Sequence, residues 1–234
     1  MRVLGIGAHP DDCEMYCGGT LAKYARLGHE VFICVATNGE VGNLVLNAKE
    51  TVEARRKEAK AATDLIGAEL LMLDFQDQAF LMNMEARDAF IDVLRYVQPD
   101  VVFTHYPDLH CSDHYNVGRL ANDVIFMPKC PNIKTKHPAI TNDLPVMYFF
   151  DTPGGIGFEP DEYVDITEDM ETKRKLIKCH ASQDKYMEDN YGRSLTDVSD
   201  IVAAFRGNQV GVTYAEGFIR VKIWGRNRPG TLLP

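Results

Sequence analysis

The chain has 234 residues, of which 45% are hydrophobic and 25% charged, and its formal net charge is −9. These fractions are ordinary for a soluble globular protein, and the length suits one domain over residues 1–234. The negative charge argues against nonspecific nucleic-acid binding, which needs a basic face. No segment approaches the roughly 18 apolar residues of a transmembrane helix, so we expect neither nucleic acid nor a membrane as partner. The six cysteines lack the density of a disulfide scaffold, which favours a cytoplasmic location.

Apolar segments typical of strands alternate with helical patterns through the first 150 residues. The patterns predict strands at 3–8, 30–36, 69–73, 100–105 and 145–150. Helices are predicted between them at about 16–27, 49–66, 85–97 and 114–125. This alternation implies right-handed crossovers and an α/β fold with a mostly parallel sheet and helices on both faces.

The pattern changes after Asp151. Residues 168–181 and 195–206 are predicted to be additional C-terminal helices, and 217–224 alternates like a late edge strand. The acidic stretch 159–171 is predicted to be a solvated surface. The stretch 127–145 is predicted to be a long surface insertion, a kind of segment that is often functional.

Two clusters of residue types that bind metals follow predicted strands. The first, His9-Pro10-Asp11-Asp12-Cys13, comes directly after the first strand, and the second, residues 104–114, begins at the end of the fourth. If these strands are neighbours, as in the common doubly wound order, both clusters face one crevice at the carboxyl edge of the sheet. His9, Asp12 and His114 would then supply a site of two histidines and one carboxylate, with a position left for water. The other carboxylate would remain available to handle a proton.

Each cluster also has a structural explanation when it is taken alone. Asp11 or Asp12 could cap the helix that begins near Glu14, and Asp113 could cap a helix that starts at His114. The pairing of two clusters at equivalent strand ends supports a metal site, whereas neither cluster does so by itself.

Four segments of the chain resemble a known family. Ala8-His9-Pro10-Asp11-Asp12, followed by Glu14 and by Gly18-Gly19-Thr20-Leu21-Ala22, resembles the signature of the LmbE-like (PIG-L) deacetylases. Three further segments agree with the family in order: Thr37-Asn38-Gly39-Glu40, Arg55 with Glu58-Ala59, and His180-Ala181-Ser182-Gln183. The resemblance implies a Rossmann-like fold and a usually zinc-dependent hydrolase that removes acetyl from N-acetylglucosaminyl compounds.

The resemblance also implies roles for residues of the first cluster and for His114. His9, Asp12 and His114 match the metal ligands, with Zn²⁺ as the expected ion and iron, manganese or cobalt as alternatives. Asp11 matches the general base, which would accept a proton from a water whose pKa the metal lowers from about 15.7 toward about 7.

Further resemblance-based expectations concern the substrate. Arg55 is the counterpart of a substrate-contacting arginine, with Arg56 as its competitor. His180 is expected to line the pocket, although a hydrogen bond at a helix end is the simpler explanation.

The chain departs from the family pattern in the second cluster. The family commonly places a histidine three residues before the last ligand, whereas His110 lies four residues before His114. We expect His110 to stabilise the oxyanion, with His105 as a weaker substitute, and the extra residue leaves this choice open. Asp113 is expected to orient or charge a nearby imidazole.

We therefore predict a metal-dependent hydrolase that removes acetyl from an N-acetylated amino sugar or its conjugate. Two alternatives stay open: a non-catalytic module that binds metal or glycan on the same fold, and an amidase acting on a sugar–thiol conjugate. The loops 41–48, 127–145 and 152–160 are expected to select the substrate. A homo-oligomer is the default assembly for a soluble enzyme of this type.

Overall fold

The computed structural model describes residues 1–108, 111–223 and 230–234. Within these ranges the chain forms a seven-stranded sheet flanked by helices. The strands are β1 (Arg2–Gly7), β2 (Glu30–Thr37), β3 (Glu69–Phe75), β4 (Val101–His105), β5 (Val146–Phe150), β6 (Glu162–Asp165) and β7 (Ala215–Arg220). The helices are α1 (Asp12–Arg26), α2 (Ala48–Leu65), α3 (Met84–Val97), α4 (Ser112–Val124), α5 (Met170–Lys178), α6 (Ala181–Tyr191) and α7 (Leu195–Val210).

The strand order is β3-β2-β1-β4-β5-β7-β6, and the first five strands are parallel. This order confirms the predicted mostly parallel sheet and makes the first and fourth strands neighbours. Val3 pairs with Val101 and Ile6 with Thr104, so the carboxyl ends of β1 and β4 lie side by side. Among the helices in the described ranges, none has the length and apolarity needed to cross a bilayer.

The C-terminal part differs from the prediction in two ways. The predicted late strand forms as β7, but β6 pairs with its outer side and takes the edge position; residue 224 lies outside the described residues. The acidic stretch 159–171 therefore contains a strand, which was missed because Val164 is its one buried side chain. The predicted helix 168–181 ends at Lys178 and is followed by α6, which has no buried residue and so no apolar stripe.

Alternate residues of β1 pack into two cores on opposite faces of the sheet. Leu4 and Ile6 join Phe90 of α3 in one core, and Val3 joins Leu21 of α1 in the other. All five side chains are at most 2% exposed, and burial of each stabilises the fold by about 1.5–3 kcal/mol. Helices therefore cover both faces, and the carboxyl edge of the sheet remains the place where polar side chains gather.

Glycines allow two helices to approach the strands that position the polar clusters. A Cβ atom at Gly7 of β1 would lie 2.9 Å from the Asp12 Cβ atom at the start of α1. A Cβ atom at Gly118 of α4 would lie 2.2 Å from the carbonyl oxygen of His105, the last residue of β4. No side chain larger than hydrogen fits at Gly118 unless α4 moves away from β4.

We predict that Gly118→Ala destabilises the protein by about 3 kcal/mol or more, because the new methyl group collides with backbone. Gly18→Ala is the matched control in α1, since its Cβ would meet its nearest atom at 3.5 Å. We expect the control to stay within about 1 kcal/mol of wild type, because alanine favours helix over glycine. Urea unfolding of the two variants measures the difference, and equal stabilities would contradict the close contact.

Candidate metal centre

Three side chains from the two polar clusters converge at the carboxyl ends of β1 and β4. The Nδ1 atom of His9 lies 3.1 Å from the Nε2 atom of His114. The carboxylate of Asp12 lies 3.7 Å from His9 Nδ1 through Oδ2 and 3.3 Å from His114 Nε2 through Oδ1. We call these three residues the candidate metal centre. His9 lies in the loop after β1, Asp12 begins α1, and His114 lies in the first turn of α4.

The donor set fits a divalent cation. Two imidazole nitrogens and a carboxylate, all close to one point, are ligands that zinc and related ions prefer. Four buried carboxylates surround this point: Asp11, Asp12, Asp77 and Asp113. In the part of the chain that the structure describes, Arg55 is the one guanidinium or ammonium group in contact with them. A cation would balance the excess negative charge.

Neighbouring side chains shift the pKa values of two centre residues. Burial lowers the pKa of His9, but its hydrogen bonds to Asp113 and Asp77 outweigh burial and raise that pKa well above its ordinary value. Burial raises the pKa of Asp12, but the nearby His114 and His105 imidazoles outweigh it and hold the pKa well below its ordinary value. Asp12 is therefore an ionised carboxylate, as a metal ligand must be.

His105 lies beside the centre and is fully buried. Its Nε2 atom accepts a hydrogen bond from the Ala8 N–H at 3.0 Å and lies 3.0 Å from Asp12 Oδ2. Its ring stacks on His114 with centroids 4.1 Å apart, and burial lowers its pKa to about 4. Asp12, His105 and His114 also lie close enough to hold an ion. We favour His9 as the ligand because the Ala8 N–H already occupies the lone pair of His105 Nε2.

Asp11 lies next to the centre and is held by a buried arginine. Arg55 donates through Nη2 to Asp11 Oδ1 at 2.9 Å and to the Pro10 carbonyl at 2.6 Å. Asp11 has a φ of 127° and a ψ of −22°, a backbone conformation outside the regions that residues with side chains usually adopt. Burial raises the pKa of Asp11 to about 6, and the Arg55 charge acts in the opposite direction. Among the described residues, the side-chain hydrogen bond of Asp11 is made by Oδ1, which leaves Oδ2 free to accept from a ligand.

The structure separates the two adjacent arginines. Arg55 is 2% exposed and also contacts the Gly39 carbonyl, whereas Arg56 forms a surface ion pair with Asp74. Arg55 is thus the arginine at the site, where it donates to Asp11 and to the Pro10 carbonyl.

His180 is an electrostatic neighbour of Asp11 and is fully buried. Its Nε2 atom lies 3.4 Å from Glu14 Oε1, and its side chain makes no capping hydrogen bond to α6. Burial lowers the pKa of His180, but Glu14 and Asp11 outweigh it and raise the pKa. The helix-end explanation for His180 is therefore not what the structure shows.

Asp113 contacts His9, and a residue that sequence reasoning missed does the same. Asp113 Oδ2 lies 3.2 Å from His9 Nε2 and accepts the Gln78 N–H at 2.8 Å. Asp77, which was not predicted, lies 3.1 Å from the same His9 nitrogen through Oδ1. Asp77 follows β3 by two residues, so the strand-end position was a signal, but a single aspartate has no spacing pattern to mark it.

Tyr16 was also missed, and His110 lies outside the described residues. The Tyr16 ring stacks on Phe150 with centroids 5.3 Å apart and meets the His114 ring edge-on at 6.4 Å. It forms an aromatic wall of the site on the side of β5. The expected oxyanion role of His110 stays a prediction.

The fold and site define a class of protein: a doubly wound α/β protein whose candidate metal centre lies at the switch between β1 and β4. The sequence matches the PIG-L family, described as GlcNAc-PI de-N-acetylase, over residues 4–125. The chain belongs to this family, as its resemblance to LmbE-like deacetylases predicted.

Individual relatives cover nearly the whole chain. Diacetylchitobiose deacetylase from Thermococcus kodakarensis is 28% identical over 226 residues, which cover 92% of this chain and 81% of that protein. The solved structure of N,N'-diacetylchitobiose deacetylase from Pyrococcus horikoshii has a TM-score of 0.81 and 30% identity, covering 94% of this chain and 83% of that one. The structure of GalB, the 4-carboxy-2-hydroxymuconate hydratase from Pseudomonas putida KT2440, has a TM-score of 0.82 and 25% identity, covering 98% of this chain and all of that one. The fold is thus shared by deacetylases and a hydratase.

We predict that Arg55→Lys lowers the free energy of unfolding by about 1–3 kcal/mol. A lysine cannot reproduce the fork that joins Asp11 to the Pro10 carbonyl, and buried acceptors would lose their donors. Arg56→Lys is the matched control and should change stability by less than about 0.5 kcal/mol, because its ion pair is exposed. Urea unfolding of both variants measures the difference, and equal stabilities would contradict the buried hydrogen bonds from Arg55 to Asp11 and to the Pro10 carbonyl.

Proposed function

We propose that the protein is a metal-dependent hydrolase that removes the acetyl group from an N-acetylated amino sugar or its conjugate. The single observation that supports this most is the convergence of His9, Asp12 and His114, with Asp11 next to them. Membership of a de-N-acetylase family and similarity to two diacetylchitobiose deacetylases support the same reaction.

The proposed ligands are His9 through Nδ1, His114 through Nε2 and the carboxylate of Asp12. A divalent cation bound by these residues supplies Lewis acidity, which polarises an amide carbonyl and lowers the pKa of water. We propose Zn²⁺, because two imidazoles and one carboxylate are a common zinc donor set. Metal analysis of the purified protein tests the choice of ion.

Asp11 is the proposed general base. Arg55 fixes Oδ1, so Oδ2 can accept a proton from water while the water oxygen forms a bond to the amide carbonyl carbon. The C–N bond then breaks, and Asp11 returns the proton to the departing amine. The products are acetate and the free amino sugar.

The remaining predicted residues flank this reaction. We propose that Arg55 and His180 bound the substrate pocket beside Asp11, because Arg55 donates to Asp11 Oδ1 and the charge of Asp11 acts on the pKa of His180. Asp113 is proposed to orient the His9 ring through Nε2. His110 is proposed to stabilise the oxyanion, and His110→Ala tests this by its effect on turnover at unchanged metal content.

A hydratase is a second candidate, which the similarity to GalB favours. Addition of water to a carbon–carbon double bond needs the same kind of base and the same polarisation of the substrate. The two functions differ in product. An N-acetyl sugar panel assayed for acetate, together with an unsaturated carboxylic acid assayed for loss of conjugated absorbance, separates them. A sugar–thiol conjugate assayed by chromatography for a product other than acetate detects an amidase. A protein that binds metal but releases no product would support the non-catalytic alternative.

We also propose a cytoplasmic location and a homo-oligomeric assembly. The six cysteines are unpaired, which suits a reducing compartment. Cell fractionation and light scattering of the purified protein test these two proposals.

We predict that the wild-type chain binds one divalent cation and that His114→Ala weakens binding at least tenfold, because a ligand is lost. His29→Ala is the control, since His29 contacts the chain's amino group, far from the centre in the fold. Titration with Zn²⁺ measures both. Unchanged affinity in His114→Ala would remove His114 from the ligand set.

We predict that Asp11→Asn keeps the cation but lowers the rate of acetate release about 10²–10⁴-fold, because the amide cannot accept the proton. Asparagine has the shape of aspartate and keeps an Oδ1 that can accept from Arg55, so the variant should fold. Metal content and acetate release are measured on the same preparation. Full activity in this variant would remove Asp11 as the base.

A further inference from the structure

Asp77 connects the candidate metal centre to the loop between β2 and α2. Its carboxylate is buried, and Oδ1 lies 3.1 Å from His9 Nε2. Its Oδ2 atom accepts the backbone N–H of Val41 at 2.9 Å. The two oxygens of one side chain thus have different partners: a proposed metal ligand and the backbone of a loop.

The imidazole of His9 needs such an acceptor. A histidine that binds a cation through Nδ1 carries its proton on Nε2, and that proton is donated to a carboxylate, a carbonyl or water. Among the described residues, Asp77 and Asp113 are the carboxylates that lie within 3.2 Å of His9 Nε2, and the Asp113 contact has hydrogen-bond geometry. Both oxygens of Asp113 also accept backbone N–H groups, from Gln78 at 2.8 Å and Phe80 at 3.3 Å. Asp77 has the shorter contact with His9, and the other partner of its Oδ1 among the described residues is a side chain, the Gln78 amide, which donates through Nε2 at 3.5 Å.

The loop that Asp77 holds is exposed and apolar. Val41, Leu44 and Val45 are 54%, 63% and 86% exposed. The Gly39 carbonyl of the same loop accepts a hydrogen bond from Arg55, which holds Asp11. The loop is therefore tied to the site at two points, and Asp77 is the one that also contacts His9.

We infer that Asp77 is a positioning residue. It accepts a hydrogen bond from the Nε2–H group of His9 and so directs His9 Nδ1 toward the cation. It also fixes the 38–47 loop beside the same ring through the Val41 N–H. This inference rests on the proposed function, because it takes His9 as a ligand. Asparagine at this position has one acceptor oxygen for two donors, so its NH₂ group must face either Val41 or His9. If the NH₂ group faces His9, it donates to Nε2 and favours the His9 tautomer that carries its proton on Nδ1. A protonated Nδ1 cannot bind a cation.

The test compares Asp77→Asn with Asp92→Asn. Asp92 accepts the His137 N–H at 2.6 Å and lies 3.1 Å from His137 Nδ1, so it has the same two kinds of partner outside the site. Zn²⁺ affinity is measured by competition with a chromophoric chelator, and urea unfolding of the metal-free proteins verifies that each variant folds. We expect Asp77→Asn to bind Zn²⁺ about 10–100-fold more weakly than wild type, and Asp92→Asn to stay within about twofold. Asp113 remains as an acceptor for His9 Nε2, so the loss of Zn²⁺ affinity should be smaller than the loss caused by removing a ligand.

Three results would overturn the inference in distinguishable ways. Wild-type affinity in folded Asp77→Asn removes Asp77 as a positioning residue and leaves the proposed function intact. Two ions per wild-type chain, one of which is lost in Asp77→Asn, would mean that His9, Asp77 and Asp113 hold an ion of their own. A wild-type chain that binds no Zn²⁺ removes the proposed centre and this inference together. If Asp77→Asn does not fold, Asp77→Glu replaces it, since it keeps two acceptor oxygens and should bind Zn²⁺ within about tenfold of wild type; a folded glutamate variant without affinity would also overturn the inference.

Discussion

The pairing of β1 with β4 is the constraint on which the chemistry of this protein depends. His9 and His114 are 105 positions apart in the chain, and their ring nitrogens lie 3.1 Å apart. The parallel ladder from Val3–Val101 to Ile6–Thr104 fixes the two strand ends next to each other. The loop after β1 and the helix after β4 then need only short segments to bring an imidazole from each to the same point. A sheet of this order therefore presents both polar clusters at one edge before any side chain is placed.

The contacts that position the site are also contacts that hold the fold together. The approach of α1 to Gly7 of β1 places Asp12 at the helix start, and the approach of α4, at its Gly118, to the end of β4 places His114 over His105. Because interiors are close-packed, a methyl group at either glycine would move a helix and not merely fill a gap. A substitution at either glycine is thus expected to lower stability and displace a proposed ligand together. A change in metal affinity at these positions therefore has to be compared with the free energy of unfolding of the same variant.

Charge is the second condition that the site imposes on the fold. Four buried carboxylates with one contacting guanidinium would repel one another if all were ionised and uncompensated. The pKa of His9 is raised by Asp113 and Asp77 in spite of burial, and burial raises that of Asp11 to about 6. Both shifts favour a bound proton and so reduce the net negative charge. A proton on His9 therefore offsets part of the charge that a divalent cation would balance, which couples cation binding to proton release.

Sequence patterns predict the parts of this protein that have strong periodicity or paired motifs. The strands β1 to β5 are apolar runs, and His9, Asp12 and His114 lie at equivalent strand ends, so both could be found without coordinates. Helix α6 has no buried residue, and β6 has one, so neither leaves a pattern to detect.

Asp77 shows why the outer part of the site is harder to predict than its centre. Its contact with His9 depends on the path of the chain at the end of β3 and just beyond it, where Asp74 and Gln78 respectively have positive φ. Neither residue is a glycine, and nothing in the sequence marks those two backbone conformations. The ligands of a centre are set by sheet topology, which patterns predict, whereas the groups that orient them are set by loop conformations, which follow from packing between segments far apart in the chain.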